Sequence, residues 1–180
     1  MRTLILGLGN TLLADDGAGV HAVRAMRSQL PDDTDLSLLD GGTLSFSLLP
    51  QIEQAAQLIV LDATQMNAEP GTVRCFEGSD LHGLLSKPRR SVHEVSLLDL
   101  LNSARLTGQL PPQRALVGVQ PEIVDWGDTL SSAVGTAIPW MVEVAFERIA
   151  AWNDASHPAS DRVPLDADET TPERADHAIA

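Results

Sequence analysis

Asp15 and Asp16 close a glycine-bearing turn, Asp40 follows the apolar run "LSLL", Asp62 follows "LIVL", and His93 stands inside "SVHE". Each aspartate falls where an expected strand gives way to a loop, and in open α/β sheets the carboxyl ends of the strands are where ligands bind. Asp15 or Asp16, Asp40 and Asp62 would then share one crevice, which is more acid than a core tolerates without partners. With His93 within reach of the same edge, two carboxylates and an imidazole suit a borderline divalent metal such as nickel, zinc or cobalt, with coordination positions left open. A closed structural site would more often use cysteines, and this chain has one, Cys75.

The turn that delivers the first pair, "ILGLGNTLLADDGAGV" from Ile5 to Val20, begins like a dinucleotide-binding turn. Gly7 and Gly9 lack the third glycine that close helix-to-strand packing needs in that motif. A carboxylate at the start of the next helix also competes with phosphate for its positive end. A nucleotide or flavin is therefore disfavoured.

The elements that must position these groups follow from periodicity. Short apolar runs alternate with helical patterns, so the chain is expected to form an α/β fold with a twisted, mostly parallel sheet of about five strands and helices on both faces, in three layers. The strands are expected at Thr3–Leu8, Leu36–Leu39, Gln57–Leu61, Thr72–Phe76 and Ala115–Val119. Val20, Val23, Met26 and Leu30 recur at helical spacing and mark a crossover helix closed by Pro31 and Asp32. A second helix after Thr43 would turn Leu48, Leu49 and Ile52 inward, with Pro50 in its first turn or at a kink. Ser91 and Glu94 have the spacing of a capping box ahead of Val95, Leu98, Leu101 and Leu106. Lys87, Arg89 and Arg90 belong to a long polar loop before it. The last helix is expected from Leu130 to Trp152, burying Val134, Ile138, Met141, Val142, Ala145 and Ile149, with Pro139 kinking or restarting it. Residues 1–152 thus form one domain, and the acidic, apolar-poor residues 153–180 are expected to be a disordered tail.

Composition narrows the partners. Twelve Lys and Arg against 25 Asp and Glu give 180 residues a formal charge of -13, which repels nucleic-acid backbones and anionic membranes. No run approaches the ~20 apolar residues of a membrane span, and the N-terminal residues do not show the basic n-region, long apolar stretch and cleavage site of a signal peptide. A cytoplasmic protein is expected, and a monomer, since no long apolar stripe is evident.

The segments "LGLGNTLLADDGAGV", "LLDGGT" (38–43), "LIVLDA" (58–63), "PGTV" (70–73), "SVHEVSLLDLL" (91–101) and "LVGVQPE" (116–122) together resemble the hydrogenase maturation endopeptidases. Those enzymes trim the C-terminus of a [NiFe] hydrogenase large subunit after nickel insertion. The resemblance spans residues 1 to about 150. It implies the same α/β fold and an endopeptidase acting on the large-subunit precursor. It places the family's three metal-contacting residues, also its catalytic set, on Asp16, Asp62 and His93, with nickel supplied by the substrate. The first of them is often glutamate in the family, so Asp16 is a shorter ligand of the same type. Asp40, Gly41, Gly42 and Thr43 resemble the segment associated with substrate choice.

Blander roles are available for several of these residues. Asp15 is a natural N-cap for the following helix, and Asp40 before two glycines suits a turn that bonds its own backbone. Glu94 belongs to the capping box, Cys75 reads as a small buried hydrophobe, and His21, His82, His157 and His177 read as solvated. Trp126 and Trp140 could edge a substrate groove or simply pack. The competing functions are a nucleotide-binding module, a non-catalytic nickel-binding assembly chaperone, and a metal-free aspartate peptidase.

Overall fold

In the computed structural model, which describes residues 2–30, 35–43, 46–85 and 92–156 with the side chains of 92–96 outside it, the backbone alternates strand and helix as the periodicity requires. The order is β1 (Thr3–Leu8), a 3-10 turn (Ala14–Gly17), α1 (Ala18–Arg27), β2 (Leu36–Gly42), a second 3-10 turn (Phe46–Leu48), α2 (Leu49–Glu53), β3 (Gln57–Ala63), β4 (Val73–Glu77), α3 (Gly78–Leu85), α4 (Val92–Leu106), β5 (Gln113–Val119) and α5 (Ser132–Ser156).

The strands form one five-stranded sheet in the order β2-β1-β3-β5-β4. β1 pairs in parallel with β2 and β3, and β3 in parallel with β5. β4 is antiparallel to β5 and closes one edge. β1 and β3 are buried along their whole length, as strands covered on both faces must be. Because side chains alternate across a strand, Ile5, Ile59 and Leu61 join α1 and α5 in one core, while Leu4, Leu6, Leu58 and Val60 join α2, α3 and α4 in the other. This is the expected three-layer arrangement.

β1, β2 and β3 begin where periodicity puts them, β4 one residue later at Val73 and β5 two residues earlier at Gln113; β2 and β3 also run further than expected, so that Asp40 and Asp62 lie within the paired strands rather than after them. Pro50 occupies the first turn of α2. Pro139 lies inside an uninterrupted α5, whose expected stripe from Val134 to Ile149 is buried. α5 continues to Ser156, so the first residues of the expected tail are helical, and 157–180 lie outside the described residues, as do the polar loop with Lys87, Arg89 and Arg90, the helix stop at Pro31 and Asp32, the Ser91 to Glu94 capping box, His157 and His177. α3 had no counterpart in the sequence reading. α4 buries Leu97, Leu100, Leu101 and Ala104, while Leu106 is 89 % exposed. Its buried stripe is therefore rotated from the expected one.

Candidate active site

The turn between β1 and α1 is built by close backbone approaches. Gly9 has φ 127°, a left-handed conformation that favours glycine, and a Cβ there would strike the Asp16 carbonyl. Gly19, in the first turn of α1, lies against the carbonyls of Leu8 and Leu61. Gly7 faces Gly19 in turn. The close helix-to-strand contact that the sequence pattern lacked is thus made by Gly7 and Gly19, and it fixes the 3-10 turn with Asp15 and Asp16 against β3.

The two neighbouring aspartates point to different tasks. Asp15 is fully buried, and its Oδ2 accepts the backbone N–H groups of Glu122 and Ile123 at 2.9 Å each, while Oδ1 accepts that of Ser131 at 2.7 Å. Burial alone would raise its pKa. The N–H groups of Ile123, Ser131 and Glu122 outweigh burial and hold the carboxyl below its ordinary value. Asp15 is not the expected N-cap: Gly17 holds that position in α1. It ties the 121–131 loop to the turn, helped by Ala14 N–H to the Gly127 carbonyl at 2.8 Å and Gly127 N–H to the Leu12 carbonyl at 3.0 Å.

Asp16 is half-buried, and its Oδ2 accepts the Asn10 N–H at 2.8 Å. Asp62 is 1 % exposed on the central strand β3, opposite Gly118 of β5. The turn carrying Asp16 and the strand carrying Asp62 are in contact, so two of the expected site carboxylates are brought to one end of the sheet. The backbone of His93 lies in the first turn of α4, and its side chain is outside the described residues.

Asp40 stands apart from that pair. It is exposed on the edge strand β2, where its Oδ2 pairs with Arg24 at 3.1 Å and its Oδ1 accepts the Gly42 N–H at 3.1 Å. The turn role and a surface role therefore coexist. Thr43 and Gly42 line the same cleft of about 240 Å³, with Asn10 and Thr11 opposite. Gly41 does not line it, because its Cα faces Leu6 and Leu8 in the core. The cleft still communicates with Asp16: Gly9 donates to the Gly42 carbonyl at 2.9 Å, and the next residue, Asn10, donates to Asp16. The single crevice of the sequence reading is thus an acidic pair beside a separate edge cleft.

Gln120 was missed. It is 5 % exposed, and its Oε1 accepts the N–H of Met66 at 2.8 Å while its Nε2 donates to Gln65 Oε1 at 2.9 Å. It thereby holds the loop that follows Asp62. Its signal was a buried-type amide directly after the strand in "LVGVQPE", a segment that carried the resemblance without being read residue by residue. Cys75 is half-buried with its thiol pKa raised by burial, which suits a packing role over a nucleophile. His82 is exposed as expected; His21 is half-buried, its pKa lowered by burial and by Arg24.

The geometry has counterparts among known proteins. A family model described as hydrogenase maturation protease matches residues 20–148. The hydrogenase expression/formation protein HupD of Rhodobacter capsulatus is 36 % identical over 152 residues, covering 84 % of this chain and 72 % of its own. The hydrogenase 2 maturation protease of Escherichia coli K12 is 36 % identical over 155 residues, covering 84 % and 90 %. The solved structure of the hydrogenase maturating endopeptidase HybD from E. coli superposes with TM-score 0.76 at 34 % identity, over 86 % of this chain and 94 % of that one.

Proposed function

Because this chain belongs to the hydrogenase maturation protease family, it is a peptide hydrolase, and we propose that it removes a C-terminal peptide from a [NiFe] hydrogenase large-subunit precursor after nickel insertion, reading the nickel as part of its substrate. The observation that carries this is the packing of the Asp16 turn onto the strand that carries Asp62.

The donor set fits such a substrate. Carboxylates from Asp16 and Asp62 with the imidazole of His93 offer oxygen and nitrogen ligands of the kind a borderline divalent ion accepts. None of them is a thiolate that would strip nickel from the precursor and keep it. Nickel held jointly by the precursor and these residues contributes Lewis acidity and, above all, position. Hydrolysis then needs a water whose hydroxyl adds to the scissile carbonyl while its proton passes to a carboxylate, and on to the amine as the C–N bond breaks. Asp16, half-exposed and anchored by Asn10, is the group at the solvent side of the pair. Asp62, buried on the rigid central strand, is the fixed point. A requirement for the metal makes cutting conditional on completed nickel insertion.

The test is to incubate the protein with nickel-loaded and nickel-free precursor and weigh the products. Loss of a short C-terminal peptide from the loaded form only is expected, and Asp16→Asn, Asp62→Asn and His93→Ala should each abolish it. Normal processing by all three variants would overturn the site. Equal cutting of both precursor forms would overturn the nickel requirement, and a loaded precursor bound but never cut would make the protein an assembly chaperone.

A further inference from the structure

Four large apolar side chains crowd one small region of the surface. Leu12 is 57 % exposed, Ile123 49 %, Val124 53 % and Trp126 81 %. They come from two segments distant in sequence that the backbone joins directly: Gly127 N–H donates to the Leu12 carbonyl at 3.0 Å, Asp15 N–H to the Ile123 carbonyl at 3.1 Å, and Leu13 bridges Gly127. Exposed apolar residues are ordinary when scattered, whereas a cluster of them marks an interaction surface.

The loop is also held more firmly than its own packing requires. Burying a carboxylate is costly unless it is fully hydrogen-bonded, yet Asp15 is buried with three of its bonds spent on the backbone of 122–131. Ile123, Val124 and Trp126 contribute little to either core while their backbone is pinned. Asp125 Oδ1 accepts the Trp126 N–H at 2.7 Å and fixes the indole's root. A solvent-facing aromatic carried on a pinned backbone and flanked by aliphatics suits an anchor for a partner. Glu122, Asp125 and Asp128, all exposed in the same loop, give it an acidic border.

We propose that Leu12, Ile123, Val124 and Trp126 form the docking surface for the large-subunit precursor, receiving an apolar segment that carries Lys or Arg residues against Glu122, Asp125 and Asp128. This rests on the protease reading above, and deepens it. The precursor is the occupant indicated because the patch is continuous with the site: Asp15, which pins the loop, and Asp16 are adjacent in one turn, and the Leu12 N–H donates to Oδ1 of the same Asn10 whose N–H holds Asp16. A precursor seated there is delivered to the acidic pair.

The experiment is steady-state cleavage of nickel-loaded precursor, with binding measured in parallel by calorimetry. The double variant Ile123→Ser/Trp126→Ala should raise KM and Kd about tenfold or more with kcat at saturating precursor and thermal midpoint unchanged. Leu106→Ser, which removes a still more exposed leucine from α4, should change neither constant. In an Asp16→Asn background, which does not cut, adding Ile123→Ser/Trp126→Ala should still raise Kd about tenfold. A wild-type KM and Kd in the double variant would overturn the proposal. So would sedimentation showing a wild-type dimer that the double variant dissolves without any change in KM, since the occupant would then be a second copy. If wild-type protein binds precursor through Trp126 without cutting it, the docking surface stands and the protease reading falls.

Discussion

Asp15 and Asp16 are adjacent in sequence and identical in chemistry, and they are divided by what each faces. Asp15 turns inward to three backbone N–H groups more than a hundred residues away, whereas Asp16 takes one N–H from Asn10 and stays half-exposed. Replacing Asp15 by Asn swaps a charged acceptor for an amide whose NH₂ faces other donors, so a loss on the order of 2–3 kcal/mol is expected. Calorimetry across pH checks the sign. The folded carboxyl holds its proton more weakly than the unfolded one. Its contribution is therefore present above the ordinary carboxylate range and fades as pH falls through the lower folded value, so the wild type should lose stability more steeply than Asp15→Asn between about pH 5 and pH 2. Equal slopes would sink the clamp. At this scale, the meeting of the Asp15–Asp16 turn and Asp62 at one end of the sheet was legible from a turn and a strand end, which are local signals, whereas the choice of Asp16 over Asp15 rested on the family resemblance alone. Asp15 was misread as an N-cap because its partners lie across the fold, and a local window contains only the helix that follows.

Between β1, α1 and β3 the deciding contacts are backbone on backbone, with Gly7 facing Gly19 and Gly19 set on the carbonyls of Leu8 and Leu61. A methyl at Gly19 has only rigid strand carbonyls to displace, so Gly19→Ala should cost roughly 2–3 kcal/mol and move the Asp16 turn away from β3. Denaturant unfolding reads the first effect and a fall in kcat the second. A fully stable, fully active variant would show that α1 can rise without disturbing the turn. Elements were legible where one period dominates: the alternating runs of β1 and β3, and the α5 stripe from Val134 to Ile149. They were not legible where leucines satisfy two registers at once. In "SLLDLL" both Leu97 with Leu100 and Leu98 with Leu101 fit a helix, and packing under α2 and α3 chose a stripe that leaves Leu106 in water. α3 has eight residues and starts at a glycine with φ 50°, too short and too irregular for periodicity to announce.

Across the whole molecule, the core residues among those described come from positions 4–152. The acidic, apolar-poor composition of 157–180 gives that segment little to bury, so deleting it should leave the thermal midpoint and the cleavage rate unchanged, as a melting curve and a precursor assay would show. A lower midpoint would mean that this segment packs on the domain. Among the described residues no helix is long and apolar enough to cross a membrane. On the proposed roles, chemistry and contact fall on separate parts of the architecture. The Asp16 turn is packed against β3 through the close approaches at Gly9 and Gly19, while the edge cleft at Asp40–Thr43 and the rim at Leu12 and Trp126 lie at the surface. For anyone wishing to retarget such an enzyme, the proposed docking role of the 122–128 loop has a practical corollary: a different client would be written into that loop, with the Asp16 turn carried over unaltered.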